Sequence, residues 1–242
     1  MATYLGTHGS KIQNYTTDPD NPNTGEVWFN ATDAVLKFEY QSTFNAWSAG
    51  GALNTARRTM AGAGLQTAAL TFGGQASPGA TNATEAYNGS SWTEVNNLTT
   101  ARNNIAGDGT QTSALAFGGL TSPTRSKLTE LWNGTNWAEV NDLNTAREIL
   151  GGFGSSNTNA LAFGGEVPGP TANTETWNGT NWTEVNNLNA VGVGMAGAGT
   201  NTAGLAFGGD RGGDSAKTEL WNGTNWTEVN DLNTARNSLG GA

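Results

Sequence analysis

The sequence predicts an all-β protein made of repeated modules, and two recurring landmarks carry this prediction. A Phe-Gly-Gly triplet recurs at intervals of 44 to 46 residues, beginning at Phe72, Phe117, Phe163 and Phe207. A tryptophan recurs with nearly the same period, at Trp47, Trp92, Trp137, Trp182 and Trp226. A period of this size, with short alternating apolar runs separated by turns, is typical of repeat architectures whose modules stack on one another.

Each module divides into four short strands, named a to d in chain order. In the second module the predicted strands are Asn104–Asp108, Ser113–Phe117, Leu128–Trp132 and Trp137–Val140. The Gly-Gly pair after strand b lets the backbone turn sharply and approach neighbouring strands without a Cβ. Between strands c and d stands Asn-Gly, a strong hairpin signal. It recurs at Asn88, Asn133, Asn178 and Asn222.

Strands counted at the two ends of the repeats predict a five-bladed β-propeller. Before the four continuous modules, three antiparallel strands matching b, c and d are predicted at Glu26–Phe29, Val35–Tyr40 and Ala46–Ser48. After them, Asn237–Ala242 matches the start of a strand a. Joined, these segments would form a composite fifth blade with the C-terminal strand innermost, and such closure hides exposed sheet edges. The predicted domains are an N-terminal arm at residues 1–24 and a propeller at residues 25–242.

The arm is polar, contains two prolines near Asp18 and carries the single histidine of the chain, His8. This composition predicts an extended segment rather than a packed element. Two interpretations are open: a poorly ordered terminus, or an anchoring peptide that docks onto a partner. For the second, the candidate anchor residues are Tyr4, His8 and Tyr15.

Composition excludes several function classes. A net charge of −9 with 11 basic residues spread along the chain argues against a nucleic-acid groove, which needs clustered Lys and Arg. The absence of cysteine excludes disulfides and thiolate chemistry. The N-terminus lacks the apolar core of a signal peptide, and no apolar run is long enough to cross a membrane. Membrane insertion is therefore not expected.

The order of the landmarks resembles the kelch repeat, whose modules are blades of β-propellers. The resemblance covers most of the chain and rests on the four Gly pairs together with strand-c aromatics and module-initial arginines. These are Tyr87, Trp132, Trp177, Trp221, Arg57, Arg102, Arg147 and Arg236. Two features depart from the pattern: the spacing from the strand-c aromatic to the next tryptophan is tighter than usual for kelch, and Gly192 stands where an arginine is expected.

The opening of the chain is similar to the openings of virion-associated proteins of marine tailed phages. The similarity is carried by Asn14–Pro22, Gly25–Asn30 and Leu36–Phe38, followed by glycine-rich modules with Thr-Ala-Arg and Ala-Phe-Gly-Gly. It implies a structural protein of the tail or capsid, present in many copies and assembled in the host cytoplasm. Other virion proteins would bind residues 1–24, and a host-surface glycan or protein would bind the propeller.

The sequence favours a non-enzymatic function without cofactor or metal. Copper oxidases among the kelch-like propellers need Tyr, His and Cys ligands, but here the one histidine lies in the arm. The same lack of a placed histidine excludes a Ser-His-Asp arrangement. The module-initial arginines instead predict structural ion pairs that join blades. Their expected partners precede the strand-c aromatics, at Glu85, Glu130, Glu175 and Glu219.

Four segments differ between modules, while the strands and turns around them hardly change. These nearly constant strands and turns are named the frame. The four variable segments are the b–c loops Gln75–Asn82, Leu120–Lys127, Glu166–Asn173 and Asp210–Lys217. In a four-stranded antiparallel blade the b–c and d–a connections emerge on one face, and loops on a rigid scaffold carry binding specificity. Candidate binding residues are Gln75, Ser77, Thr121, Arg125, Lys127, Glu166, Asp210, Arg211 and Asp214. Neutral drift of surface loops is the alternative interpretation.

A second function is open on the sequence alone, that of a carbohydrate-binding propeller lectin. Equivalent sugar sites would lie between blades at tryptophan and asparagine side chains, because an exposed indole can stack on a sugar. The repeats would then supply multivalency. The repeating tryptophans and phenylalanines are nevertheless predicted first as core residues.

Overall fold

The computed structural model describes residues 12–19, 27–38 and 49–241, and all regular structure in these ranges is β. No helix in them is long and apolar enough to cross a membrane. Contacts divide the chain into two compact units, residues 1–49 and 50–242. The sequence placed the domain boundary earlier, after residue 24. Part of the predicted arm, residues 13–15, pairs with residues 28–30 within the first unit.

The first unit contains a three-stranded sheet formed by β1 (Gln13–Tyr15), β2 (Val27–Asn30) and β3 (Val35–Phe38). The hairpin of β2 and β3 is antiparallel, as predicted, whereas β1 joins β2 in parallel. The predicted strand Ala46–Ser48 lies outside the described residues. Asp18 ties the sheet together, since it accepts hydrogen bonds from Trp28 Nε1 at 3.0 Å and Lys37 Nζ at 2.7 Å. The Lys37 bond is the main reason that the pKa of Asp18 is lowered to about 2.

The second unit contains four antiparallel sheets of four strands, each in chain order from the innermost strand outward. The first sheet has β4 (Ala61–Leu65), β5 (Ala68–Phe72), β6 (Thr84–Tyr87) and β7 (Trp92–Val95). The second has β8 (Ala106–Thr110), β9 (Ser113–Phe117), β10 (Thr129–Trp132) and β11 (Trp137–Val140). The third has β12 (Gly151–Ser156), β13 (Asn159–Phe163), β14 (Thr174–Trp177) and β15 (Trp182–Val185). The fourth has β16 (Ala196–Thr200), β17 (Ala203–Phe207), β18 (Thr218–Trp221) and β19 (Trp226–Val229).

The four strands predicted for the second module are confirmed, with differences in the bounds of strands a and c. Strands b and d have the predicted bounds and strand c starts one residue later, but strand a starts at Ala106 rather than at Asn104. Asn104 has a φ of 50°, which lies in the left-handed region and is incompatible with a strand. The same conformation recurs at the equivalent positions Thr59, Ile149 and Ser238.

Aromatic pairs fill the interfaces between neighbouring sheets. A strand-b phenylalanine of one sheet meets the strand-d tryptophan of the next edge to face, with ring centroids about 5 Å apart. The pairs are Phe72–Trp137 at 4.8 Å, Phe117–Trp182 at 5.0 Å and Phe163–Trp226 at 5.4 Å. All six rings are buried. The prediction that these residues form the core is therefore confirmed for the described sheets.

The innermost strands β4, β8, β12 and β16 pack against one another in succession. Glycine is needed at this wall because a Cβ at Gly107 would overlap the Phe72 ring, and one at Gly152 would overlap the Phe117 ring. Small inner-strand residues thus let each large strand-b side chain reach the neighbouring sheet. This packing explains why the strand-a sequences are so rich in glycine.

The C-terminal segment lies beside β16 in the place of a further innermost strand. Ser238 N donates to Gly194 O at 3.0 Å, just as Gly194 N donates to Ile149 O at 3.0 Å. Leu239 approaches Gly208 in the way that Leu150 approaches Gly118. Residues 237–241 nevertheless form no strand, contrary to the prediction of a C-terminal inner strand. No partner strand b is paired with them within the described residues.

Candidate functional site

The b–c loops fold into small hairpins on the face where the d–a connections also emerge. In each sheet the first residue of the loop forms a bridge to the residue after the module-initial position, as in Asn103 with Leu120. A second bridge closes the loop on itself, as in Leu120 with Arg125. The same two bridges occur in all four sheets. The predicted grouping of b–c and d–a connections is thus confirmed within each sheet, and this surface is named the b–c loop face.

Three of the four module-initial arginines, Arg57, Arg102 and Arg147, form the predicted structural ion pairs, whereas Arg236 is exposed. Arg102 Nη2 lies 2.8 Å from Glu130 Oε1, and Arg147 Nη2 lies 2.9 Å from Glu175 Oε1, with all four side chains almost fully buried. Arg57 and Glu85 form the same pair at 3.0 Å. Burial lowers the pKa of each of these arginines, and the paired glutamate opposes that shift. The pairs fasten the segment entering each sheet to its strand c.

Arg211 supplies the guanidinium that Gly192 lacks. Its Nη1 atom lies 2.7 Å from Glu219 Oε1, which is the position that a module-initial arginine fills in the other sheets. A Cβ added at Gly192 would lie 3.2 Å from Arg211 Cγ, so the glycine leaves the room that this side chain uses. Arg211, a candidate binding residue on the sequence, is therefore a nearly buried part of the frame.

Arg125 and Glu166 join two neighbouring b–c loops. Arg125 Nη2 lies 2.7 Å from Glu166 Oε1, and Arg125 Nε lies 3.2 Å from Glu148 Oε1. Glu148 also accepts a hydrogen bond from Asn104 Nδ2 at 2.8 Å. Two of the predicted binding residues thus form an inter-sheet link at the surface, and about a third of each side chain is exposed.

The remaining charged candidates of the loop face also have partners. Lys127 Nζ lies 3.7 Å from Asp142 Oδ2, and Asp214 Oδ1 accepts a hydrogen bond from Asn237 at 2.6 Å. Asp210 Oδ1 accepts bonds from the backbone N–H groups of Gly213 and Gly212 at 2.7 and 2.9 Å. These two bonds lower the pKa of Asp210, since they stabilise its ionised form.

The neutral candidates lie in the first two loops. Gln75 accepts a hydrogen bond from Arg58 at 3.3 Å, and with the exposed Ser77 it borders a surface cavity of about 430 Å³ that also reaches Arg57. Thr121 Oγ1 donates to Thr124 O at 3.0 Å. Gln75 and Ser77 therefore line the same cavity.

A second cavity, of about 550 Å³, runs along the innermost strands and is lined by Asp108, which is not among the candidate residues predicted from the sequence. Asp108 of β8 lines it beside Phe153 and Gly154 of β12. Its Oδ2 atom is buried without a hydrogen-bond partner, and burial raises the pKa of this carboxyl to about 6. A comparison of the modules could have singled it out, because the equivalent positions in the other three hold the apolar residues Ala63, Phe153 and Ala198.

Six of the repeating tryptophans are buried, and this bears on the sites that a lectin would use. They are Trp132, Trp137, Trp177, Trp182, Trp221 and Trp226. Those of strand c donate their Nε1 to carbonyls of the a–b turns, as in Trp132 to Gln111 O at 2.9 Å. These six indoles are therefore not free to stack on a sugar, whereas Trp92 is partly exposed.

Of the candidate anchor residues, Tyr15 ends β1, where its carbonyl accepts a hydrogen bond from Ala31 N at 2.7 Å. Tyr4 and His8 lie outside the described residues. Within the described ranges no three His, Cys, Asp or Glu side chains lie close enough together to hold a metal ion. No protein-family model matches the chain, and no curated protein matches it significantly.

Proposed function

We propose that the protein is a five-bladed, kelch-like β-propeller, in which strands from residues 25–48 complete a fifth blade. Support comes from the innermost strands, which follow one another in order and are continued by the C-terminal segment. A cavity of about 390 Å³ is bordered by equivalent side chains from all five inner positions. They are Met60, Ile105, Leu150, Met195 and Leu239.

Removal of Asn237–Ala242 is expected to lower the melting temperature by roughly 10 °C. The deletion removes the packing of Leu239 on Gly208 and the Ser238–Gly194 hydrogen bond, which together are worth several kcal/mol in a domain of this size. Thermal unfolding followed by circular dichroism measures the change, and removal of Ala242 alone is the control. An unchanged melting temperature after the full deletion would rule out the closed ring.

We further propose that this propeller is a non-enzymatic adhesion module of a phage virion. The observation that carries the proposal is that the repeated charges of the frame have structural partners, whereas the variable loops are exposed together on one face. Three of the repeated arginines form buried pairs with strand-c glutamates, while ordered hairpins of differing sequence lie on the b–c loop face. A host-surface glycan or protein binds that face, and residues 1–24 bind another virion protein. The similarity of the N-terminal segment to those of virion-associated proteins supports the second contact.

Deletion of residues 1–24 is expected to abolish incorporation of the protein into particles. The reason is that the segment, and not the loop face, makes the contact with the particle. Purified particles from a complementation experiment would be probed for the full-length and shortened proteins. Because the deletion also removes β1 and Asp18 from the first sheet, circular dichroism must show that the shortened protein is folded before loss of incorporation is assigned to the loss of an anchor. Normal incorporation of a folded truncation would contradict the anchoring role.

A further inference from the structure

Two departures from the repeat pattern meet where β8 packs against β12. The first is Asp108 of β8, whose counterparts in the other three modules are apolar. The second is β12 itself, which has six residues where β8 has five and contains a β-bulge between Gly154 and Ser156. Bulges are frequent next to functional sites, where they redirect a side chain. The contact between β8 and β12 therefore differs from the other contacts between innermost strands.

The carboxyl group of Asp108 lies against this bulge. A Cβ added at Gly154 would overlap Asp108 Oδ2, so the glycine leaves the room that the carboxyl group occupies. Oδ2 is buried there and has no hydrogen-bond partner. The strands packed against β8 are β4, β5, β9, β12 and β13, and none of these five contains an ionisable side chain. The negative charge of Asp108 thus has no counter-charge on the strands around it.

Asp108 also borders the cavity of about 550 Å³ along the innermost strands, which is large enough for a small organic molecule. Ser155 of the bulge lines the same cavity, and its Oγ donates to Asn159 Oδ1 at 2.7 Å, so its lone pairs can still accept a hydrogen bond. Apolar side chains line it as well, among them Met60 and Leu65, which are 38% and 74% exposed. The cavity thus combines a carboxylate, a hydroxyl acceptor and apolar surface.

We propose that this cavity binds a small organic ammonium ion, that is, a protonated amine on an apolar body, whose charge is neutralised by Asp108. An ammonium group brings the missing positive charge together with N–H donors, and charge-assisted hydrogen bonds are the strong ones. Ser155 Oγ accepts one of these bonds, and the apolar body covers Met60 and Leu65. A carboxyl group with a raised pKa in a cavity is typical of binding sites. All of these residues belong to the second unit.

Titration of the full chain with benzylamine and with benzyl alcohol, followed by NMR of the backbone amides, tests the role of the charge. The two probes have nearly the same shape, but only the amine is a cation at pH 7. The parent protein is expected to bind benzylamine at least about 10-fold more tightly than benzyl alcohol, the usual effect of a hydrogen bond between charged groups. The amide signals of Gly109 and Ser155 should shift. No detectable binding of benzylamine, or equal binding of both probes, would overturn the proposal.

Variants locate the site. Asp108→Asn should bind benzylamine no more tightly than benzyl alcohol, and Ser155→Ala should bind benzylamine about 5-fold more weakly than the parent. Ser156→Ala is the matched control, because Ser156 bonds Thr158 and does not line the cavity. Unchanged binding of benzylamine by Asp108→Asn would place the amine elsewhere and overturn the proposal. The same amide shifts with sodium chloride at equal concentration would show that any cation is sufficient, which would overturn the assignment to an amine.

The affinity for benzylamine should be about 10-fold weaker at pH 5 than at pH 7. Burial raises the pKa of Asp108 to about 6, so the carboxyl group is mostly protonated at pH 5 and mostly ionised at pH 7, and the ammonium group binds the ionised form. The residual binding by Asp108→Asn should not depend on pH in this range. An affinity of the parent protein that is the same at both pH values would contradict the role of Asp108.

Discussion

Replacement of Glu175 by glutamine is expected to lower the free energy of unfolding by about 3–5 kcal/mol. Glu175 is fully buried and accepts a bond from Arg147 Nη2 at 2.9 Å. Its second oxygen accepts bonds from the backbone N–H and side-chain amide of Asn144, at 2.8 and 2.9 Å. Glutamine leaves the buried guanidinium without a counter-charge and points an amide N–H₂ at other donors. Urea unfolding followed by circular dichroism measures the loss.

Two comparisons isolate the effect of burial. Glu228→Gln breaks an ion pair of similar length, with Lys217 at 2.6 Å, but about half of each side chain is exposed. Exposed pairs contribute little, so this variant should unfold almost like the parent protein. Glu130→Gln breaks the equivalent buried pair one sheet earlier and should behave like Glu175→Gln. Equal, small losses for Glu175→Gln and Glu228→Gln would show that the buried pairs do not hold the frame together.

Replacement of Asp108 by asparagine is expected to stabilise the protein at pH 7 by up to about 3 kcal/mol. Burial raises the pKa of this carboxyl from 3.8 to about 6, so the folded state binds its proton more tightly than the unfolded state. The resulting stabilisation is complete below pH 3.8 and is lost as the pH rises through about 6. Above that pH the folded protein carries a poorly solvated charge. Asparagine has nearly the same shape and does not ionise.

The measurement is the free energy of unfolding between pH 4 and 8 for the parent and for Asp108→Asn. The difference between them should grow from pH 4 to pH 6 and then stay constant. Among the described residues that line this cavity, Asp108 is the only one with an ionisable side chain, so the pH dependence of the difference reports on Asp108. Asp108→Ala, which restores the residue found at Ala63 and Ala198, is a second variant expected to behave in the same way. A difference that does not vary with pH would contradict the assignment to Asp108.

The frame could be predicted from the sequence because the same pattern of strands and turns occurs in four modules. Strand b at Ser113–Phe117 and strand d at Trp137–Val140 follow directly from alternation and from the Asn-Gly turn, and the structure has them at those bounds. The Arg102–Glu130 pair was likewise indicated, since a charge that recurs in each module has a recurring partner. Repetition turns a weak local signal into a strong one.

Features that occur once could not be predicted in this way. The sequence shows that the module-initial arginine is missing at Gly192, but it does not show that Arg211 of the b–c loop pairs with Glu219 instead. The parallel pairing of β1 with β2 depends on contacts between segments that share no pattern. Partners such as Glu148 and Glu166 for Arg125 follow from the distance between neighbouring loops, which only the assembled sheets define.

The Arg211–Glu219 pair restricts how the four loops can change in evolution or in engineering. The first three b–c loops sit on sheets whose buried glutamate is paired with an arginine outside the loop, so an exchange of these loops for foreign peptides leaves that pair in place. The fourth loop carries the neutralising cation itself, and a graft that omits it would strand Glu219 in the interior. Grafting there therefore requires Gly192→Arg in the same chain. An arginine at position 192 would pair with Glu219 from the frame, so the loop would no longer need to contain Arg211.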